Sequence, residues 1–524
     1  MKQLPEKSSG KVCLVGAGPG APGLMTVTGL ARLRAADAVV FDALANPVLL
    51  AEAPAAARRI DVGKRARHHK LTQDETNQLL LDLSREGLSV VRLKGGDPYL
   101  FGRGAEECAF LARHGVACEV VPGVTAGLAA PAAAGIPVTH RKVASTVTIV
   151  TGHEDPTKGE TSVDYDGLAK LIGRGGTACF YMGVGRLQQI ADSLVGCGLA
   201  VSTPAAVVQW GTLPTQRTAK GTLADIRAAV EREGVASPAI IVVGDVAAIN
   251  EPGLDYFTAR PLFGQRVLIT RTRQQASDLR AGLEARGAAV TEAHTLELEP
   301  PADWSEVDRV LSEVSGYDWL LLTSVNAVAT VADRLERLGV DARTLSGVRL
   351  AVVGESTRAA LWERLRVRPD FVPTEFSGSS LGEQLVAAQA MSGRRCLLLR
   401  ADIARPRLPE VLREAGAEVD DLTVYRTRRP AALSEDVLEA IRGGVDWVTF
   451  TSSSTVRNLM ELLGEERRRL EGVRVASIGP VTSATVRELG LTVAVEAETA
   501  GVESLLAAVV GAVRGRGLAT GTEG

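Results

Sequence analysis

The sequence predicts an α/β protein of several domains, and three observations carry that prediction. Short apolar runs ending in turns rich in Gly, Ser or Asp alternate with helical stretches, the pattern of strand–helix units. The second half repeats itself: residues 264–290 match 393–419, 318–328 match 446–456, and 348–361 match 473–486, at offsets of 129, 128 and 125 residues. Such constancy indicates a duplication into two similar lobes. Finally, 524 residues with 45% apolar and 23% charged side chains are globular material, enough for about three or four domains.

The totals also exclude. A net charge of −3 implies no general polyanion-binding surface, so no nucleic-acid partner. No run of about 18 apolar residues occurs, so no spanning helix is expected. The leader, residues 1–10, is polar (MKQLPEKSSG) and reads as disordered, not as a signal peptide; the expected location is the cytoplasm. The six cysteines show no CxxC and no metal spacing, and read as reduced and mostly buried. His68 and His69 lack further ligands nearby, so no metal is expected.

Taken in order, Val12–Val15 is a strand leading into Gly16-Ala17-Gly18-Pro19-Gly20, with a helix over Thr26–Arg34 and a strand over Ala38–Phe41 ending at Asp42. GAGPGA formally matches a dinucleotide fingerprint. Pro19 and Pro22 stand where that helix should already run, which argues against a nicotinamide cofactor. A strand over 60–62 feeds Gly63–His69, in which five of seven residues are basic. Such a run is a solvated loop or a carboxylate site. Val90–Leu93 is a strand, Lys94–Pro98 a sharp break, and Gly102–Glu107 opens a helix towards His114. The Gly95-Gly96 pair lets backbone approach a ligand, and Asp97 stands at the strand's C-terminal edge, where open α/β sheets hold ligands. Further strands are read at Val120–Val121, Val147–Thr151, Thr177–Met182, Ala205–Trp210 and Ala239–Val243, with a polar loop over 155–166. Residues 251–263 have no period and read as a linker, and 516–524 as a frayed tail.

The stretch VVRLKGGDPYLFGRGAEE (90–107) resembles the signature of the uroporphyrinogen-III C-methyltransferases. GAGPG, GKRA in the basic loop and the segments 120–126 and 135–141 resemble other motifs of that tetrapyrrole methyltransferase family. The family usually has Asp after GAGPG; here Ala21 stands there. The resemblance implies a two-subdomain methyltransferase fold over 11–250. It also implies S-adenosylmethionine as methyl donor, with contacts on Pro19, Gly95, Gly96, Asp97, Leu100, Thr125, Ala126, Met182 and Gly211. Asp42 and Lys64 fall on the family's base and acid positions, and Arg65 in the basic loop would face substrate carboxylates. A homodimer through this half stays open.

In the second half, LITR, LLTSVNAV, VVGEST, VYRTRR, FTSSS and SIGPVT together resemble uroporphyrinogen-III synthase. That resemblance implies two interlaced lobes within 264–515: one of 264–298 plus 430–515, the other of 302–424, with crossings at 295–300 and 423–430. Turns rich in Ser and Thr before helices bind anions well. Ser324, Asn326, Thr357, Ser452, Ser453, Ser454 and Thr482 are therefore the expected carboxylate contacts. Tyr425, in the VYRT segment at a crossing, would hydrogen-bond the leaving hydroxyl or pack in the hinge. The reading is a bifunctional enzyme of siroheme and cobalamin precursor synthesis. It would cyclise hydroxymethylbilane to uroporphyrinogen III and methylate that product. Two alternatives stay open: a nicotinamide-dependent dehydrogenase built on GAGPGA, and a methyltransferase fused to a non-catalytic tetrapyrrole-binding module.

Overall fold

The computed structural model describes residues 10–63, 71–153, 161–270, 276–375 and 377–519. The chain divides into two compact units, residues 1–266 with 281–290 and 510–524, and residues 267–280 with 291–509.

The first unit holds two sheets. One is built from β1 (Val12–Gly16), β2 (Ala38–Phe41), β3 (Arg58–Asp61), β4 (Val90–Lys94) and β5 (Cys118–Val121), in the order β3-β2-β4-β1-β5 with every pairing parallel. Helices α1 (Val27–Arg34), α2 (Gln73–Arg85) and α3 (Gly104–Arg113) are its crossovers. Both faces are therefore covered, which is why β1 is apolar at successive positions rather than alternating. Val15, Val39 and Leu93 pack with Leu33 of α1 on one side; Leu14, Val40 and Val90 pack with Leu80 of α2 and Leu111 of α3 on the other. Thr26 caps α1 by accepting the Gly29 N–H at 3.1 Å, which starts that helix where the two prolines end.

The other sheet contains β6 (Thr146–Thr151), β7 (Gly176–Tyr181), β8 (Pro204–Gln209), β9 (Arg217–Thr222) and β10 (Ala239–Val243), ordered β6-β7-β10-β8-β9. It is mixed: β6–β7 is parallel, whereas β10 runs antiparallel to β7 and β8, and β9 to β8. The helix α4 (Ala126–Ala133) lays Ala130 against Val208, Ile240 and Val242 of this sheet. Strand β9 has no counterpart in the sequence reading, because RTAKGT buries only Ala219 fully.

Three further findings differ from the sequence reading. Cys108 of α3 and Cys118 of β5 form a disulfide with a Cα separation of 5.6 Å, because the turn after α3 folds the chain straight back; the other four cysteines are free. Within residues 251–263, Phe257 and Leu262 are buried, and the Leu262 N–H donates to the Arg286 carbonyl at 2.8 Å. This segment packs rather than spans. The last helix, Val502–Ala519, runs past residue 516. The leader, residues 1–9, lies outside the described residues.

Ten further strands follow: β11 (Arg266–Ile269), β12 (Ala289–Glu292), β13 (Glu297–Glu299), β14 (Trp319–Leu322), β15 (Arg349–Val352), β16 (Arg395–Ala401), β17 (Glu418–Arg428), β18 (Trp447–Phe450), β19 (Arg474–Ser477) and β20 (Val493–Glu496). They form two sheets, β12-β11-β18-β19-β20 and β13-β17-β16-β14-β15. The chain leaves the first sheet after β12, completes the second, and returns to the first at β18, so the two are interlaced. The repeat seen in sequence aligns β11 with β16, β18 with β14 and β19 with β15, and the strand orders then coincide. Even the outer position is kept: β20 pairs parallel to β19, and a parallel bridge from Ala351 to Phe371 takes that place beside β15. Equivalent tryptophans, Trp319 and Trp447, are buried, each beneath an arginine of the adjacent strand, Arg349 at 4.6 Å and Arg474 at 4.4 Å. The crossings are not loops. Glu297–Glu299 pairs antiparallel with Arg426–Arg428.

Candidate functional site

In the parallel sheet the crossovers change direction between β1 and β4, so the loops leaving those strands flank the crevice where such sheets bind ligands. The loops touch backbone to backbone. Gly96 donates to the Gly18 carbonyl at 2.7 Å and Gly18 back to Gly96 at 3.3 Å. A Cβ on Gly123, at the end of β5, would stand 2.2 Å from the Gly96 carbonyl oxygen. Asp97 locks the arrangement: one carboxylate oxygen accepts from Tyr99 N–H at 2.8 Å and the other from Gly123 N–H at 3.1 Å. Ala21 N–H donates to the Thr212 hydroxyl at 3.1 Å, joining the GAGPG loop to the turn after β8.

These loops and the C-terminal ends of β7 and β8 enclose a cavity of about 530 Å³, a size typical of small-molecule sites. All nine residues expected at the methyl donor line it: Pro19, Gly95, Gly96, Asp97, Leu100, Thr125, Ala126, Met182 and Gly211. Asp42 lines it too; its carboxylate accepts the Leu44 N–H at 3.1 Å and lies 3.3 Å from the Arg92 guanidinium. The turn-capping role and the cavity position therefore coincide in one side chain. Lys64 and Arg65 lie outside the described residues.

Other residues of this wall were not singled out from sequence. Arg92 and Lys94, alternate residues of β4, are both buried and line the cavity with Gln73. Burial first, and the Arg92 charge second, pull the Lys94 ammonium below its ordinary range, against the opposing pull of Glu107. Tyr181 accepts hydrogen bonds from the Gly127 N–H and shares one with the Thr125 hydroxyl, and burial raises its phenol's pKa. Its ring lies 5.3 Å from Phe101. Phe101, Arg103, Met182 and Trp210 line the cavity at φ of 55°, 57°, 55° and 47°, and among the described residues only Thr212 and Arg366 otherwise leave negative φ without being glycine. Strained backbone of this kind clusters at active sites and ligand clamps.

The expected residues of the second unit form two clusters, one at the C-terminal edge of each sheet. Ser324 caps the helix Val325–Arg337, accepting the Ala327 N–H at 3.1 Å, and its hydroxyl lies 3.0 Å from that of Tyr425, which is buried. Asn326 is buried there with its carbonyl oxygen unpartnered, and Thr357 is buried in the first turn of Glu355–Leu365. In the other cluster Ser452 caps Ser453–Leu463 and lies 2.9 Å from the Ser454 hydroxyl. Ser453 accepts from Thr485 at 2.8 Å, and Thr482 is buried in the first turn of Pro480–Glu488.

Residues 11–227 match the family model of tetrapyrrole (corrin/porphyrin) methylases, and residues 277–507 that of uroporphyrinogen-III synthase HemD. Over 498 residues the chain is 35% identical to the porphyrin biosynthesis protein HemD of Ruminiclostridium josui, a match spanning 95% of this chain and 97% of that one. The chain belongs to the fused family of tetrapyrrole methylases and uroporphyrinogen-III synthases. Its methylase part is 48% identical over 242 residues to an S-adenosyl-L-methionine-dependent uroporphyrinogen III methyltransferase of Methanosarcina barkeri, covering 46% of this chain and 94% of that protein. Among solved structures, the uroporphyrin-III C-methyltransferase of Thermus thermophilus complexed with S-adenyl homocysteine is similar at 38% identity, covering 46% of this chain and all of that one, with a TM-score of 0.39. The nicotinamide reading of GAGPGA is not favoured: Pro22 opens a short 3-10 turn and the following helix starts only at Val27. Among the described residues no cluster of metal ligands occurs, and no helix is long and apolar enough to cross a membrane.

Proposed function

We propose that this family member, an S-adenosylmethionine-dependent uroporphyrinogen-III C-methyltransferase joined to a uroporphyrinogen-III synthase, carries out consecutive steps of tetrapyrrole synthesis. The synthase part closes hydroxymethylbilane with inversion of ring D, and the methylase part adds methyl groups at C2 and C7 to give precorrin-2. The observation that carries this reading is the convergence of all nine expected donor contacts on one cavity of the methylase part.

The cavity fits the donor. Gly96 sits on its wall at φ +66°, and a Cβ built there would meet no atom nearer than the Ala126 nitrogen at 4.0 Å. The space in front of that backbone is thus open to a ligand. S-adenosylmethionine, when bound, supplies an electrophilic methyl group; the protein's share is mainly positioning. Pro19, the Gly95–Asp97 turn, Leu100, Thr125, Ala126, Met182 and Gly211 would hold it. Asp42 would take up the proton that the ring loses after methylation, with Lys64 as the acid and Arg65 on a substrate carboxylate. In the synthase part the hydroxyl-rich helix starts at Ser324, Asn326, Thr357, Ser452–Ser454 and Thr482 would take the substrate's carboxylates. Tyr425 would hydrogen-bond the departing hydroxyl. A cytoplasmic location follows from this metabolism.

Incubating the full chain with hydroxymethylbilane and S-adenosylmethionine tests the proposal. Precorrin-2 should form, and uroporphyrinogen III should accumulate when the donor is withheld. Formation of only the uninverted isomer I would leave the second part as a binding module.

A further inference from the structure

One carboxylate behind the cavity wall has no part in the functions above. Glu107, in the first turn of α3, has no exposed surface. Its Oε1 accepts from Lys94 Nζ at 3.0 Å, Gln73 Nε2 at 3.1 Å and Arg92 Nε at 3.4 Å. Its Oε2 is buried without a hydrogen-bond partner. Glu107 does not line the cavity, but all three of its donors do. Arg92 is steadied further by the carbonyls of Leu93 at 3.1 Å and Val40 at 3.5 Å, and its Nη2 reaches Asp42 Oδ2 at 3.3 Å.

Two cations on alternate residues of one strand, both out of water, repel each other and have lost their hydration. They persist only with a counter-charge held between them, and Glu107 is that charge. The network is lopsided, however. Three donors from α2 and β4 crowd one oxygen while the other stays bare. A purely structural ion pair would be expected to satisfy both oxygens, since an unpaired buried acceptor is costly. What the crowding achieves is the alignment of three side chains along one wall.

We infer that Glu107 is a positioning residue for methyl transfer: it fixes Lys94 and Arg92 on the cavity wall, and Arg92 fixes the Asp42 carboxylate. The inference rests on the reading of this cavity as the methyltransferase site. Glu107→Gln keeps the shape and removes the charge. In the full chain, kcat for methylation of uroporphyrinogen III should fall by about a hundredfold, the scale of a displaced catalytic group. The KM for the tetrapyrrole and the calorimetric affinity for S-adenosylhomocysteine should stay close to wild type, and synthase activity should not change. A wild-type kcat overturns the inference, as does a loss of kcat matched by an equal loss of S-adenosylhomocysteine affinity, which would mean general collapse of the site. Should Glu107→Gln not fold, Glu107→Asp, which keeps the charge but retracts it, is read in the same way. If the wild-type chain fails to bind S-adenosylhomocysteine, the reading of the cavity fails first. Normal binding with an undiminished kcat in the variant sinks the inference alone.

Discussion

Replacing Gly96 by valine separates backbone strain from ligand exclusion. Gly96 has φ +66°, and an added Cβ would find only the Ala126 nitrogen, at 4.0 Å. The protein itself therefore does not clash with the new Cβ. The variant still has to hold a β-branched residue in the left-handed region, at about 1–2 kcal/mol of stability. A separate effect falls on the ligand, because the new methyl groups stand where the donor's contact with backbone is proposed. Affinity for S-adenosylhomocysteine should drop at least tenfold, or about 1.4 kcal/mol. Calorimetry reads this directly, and thermal unfolding provides a second readout. Ligand at about 100 times the wild-type Kd stabilises the wild type by about 2.7 kcal/mol, but a tenfold weaker binder by only about 1.4 kcal/mol. Gly123→Ala is the contrasting control. Its Cβ would press on the Gly96 carbonyl oxygen at 2.2 Å and on the Gly16 Cα at 2.8 Å, so it should damage the fold as well as binding. A folded Gly96→Val chain with unchanged affinity would refute the donor's placement against this turn.

Tyr425→Phe removes the hydroxyl 3.0 Å from Ser324 and should slow ring closure roughly ten- to hundredfold. The assay is the share of isomer I at limiting enzyme, with methylation of added uroporphyrinogen III unaffected; a wild-type rate and isomer ratio would leave Tyr425 as packing. Phe257→Ala empties a buried site in the segment read as a linker. It should cost about 3 kcal/mol in chemical unfolding, whereas a freely spanning linker would show almost no change. Asp308 is hydrogen-bonded to Arg334, and that contact holds its carboxyl below the ordinary range. A carboxylate with a lowered folded pKa adds stability above its unfolded pKa and loses it as pH falls through the folded one. Asp308→Asn should thus destabilise by up to about 1 kcal/mol near neutrality, with the difference from wild type vanishing in acid below the depressed pKa; a pH-independent difference would exclude the ion pair as its cause.

The parts of the site visible in sequence were those carried by contiguous turns. Gly95-Gly96-Asp97 follows β4 directly, so strand end, glycine pair and carboxylate could be read from neighbouring residues. Arg92 and Lys94 resisted because charged residues alternating with apolar ones normally face water. Their partners Gln73 and Glu107 come from α2 and α3, and only the assembled sheet and its covering helices bring them together. Strands β9 and β13 escaped for a related reason: Arg217–Thr222 and Glu297–Glu299 carry charge, and their partners rather than their own burial make them strands. Residues 251–263 lacked a period because Phe257 and Leu262 are fixed by turns rather than by a regular element. The duplication was legible because equal folds keep equal residues at equal places, down to Trp319 and Trp447.

The interlaced return of the chain has a consequence for synthesis on the ribosome. Val267 of β11 pairs with Trp447 of β18, about 180 residues later. At roughly 5–20 residues per second, β11 waits on the order of ten to forty seconds for its partner. Strands β13 to β17, contiguous between Glu297 and Arg428, can complete their sheet in that interval. The nascent chain thus carries a finished inner sheet after only β11 and β12 of the outer one, with the apolar edge Val267-Leu268-Ile269 bare until β18 is made. A ribosome stalled between β11 and residue 447 releases a product with that edge exposed, prone to aggregate and open to proteolysis.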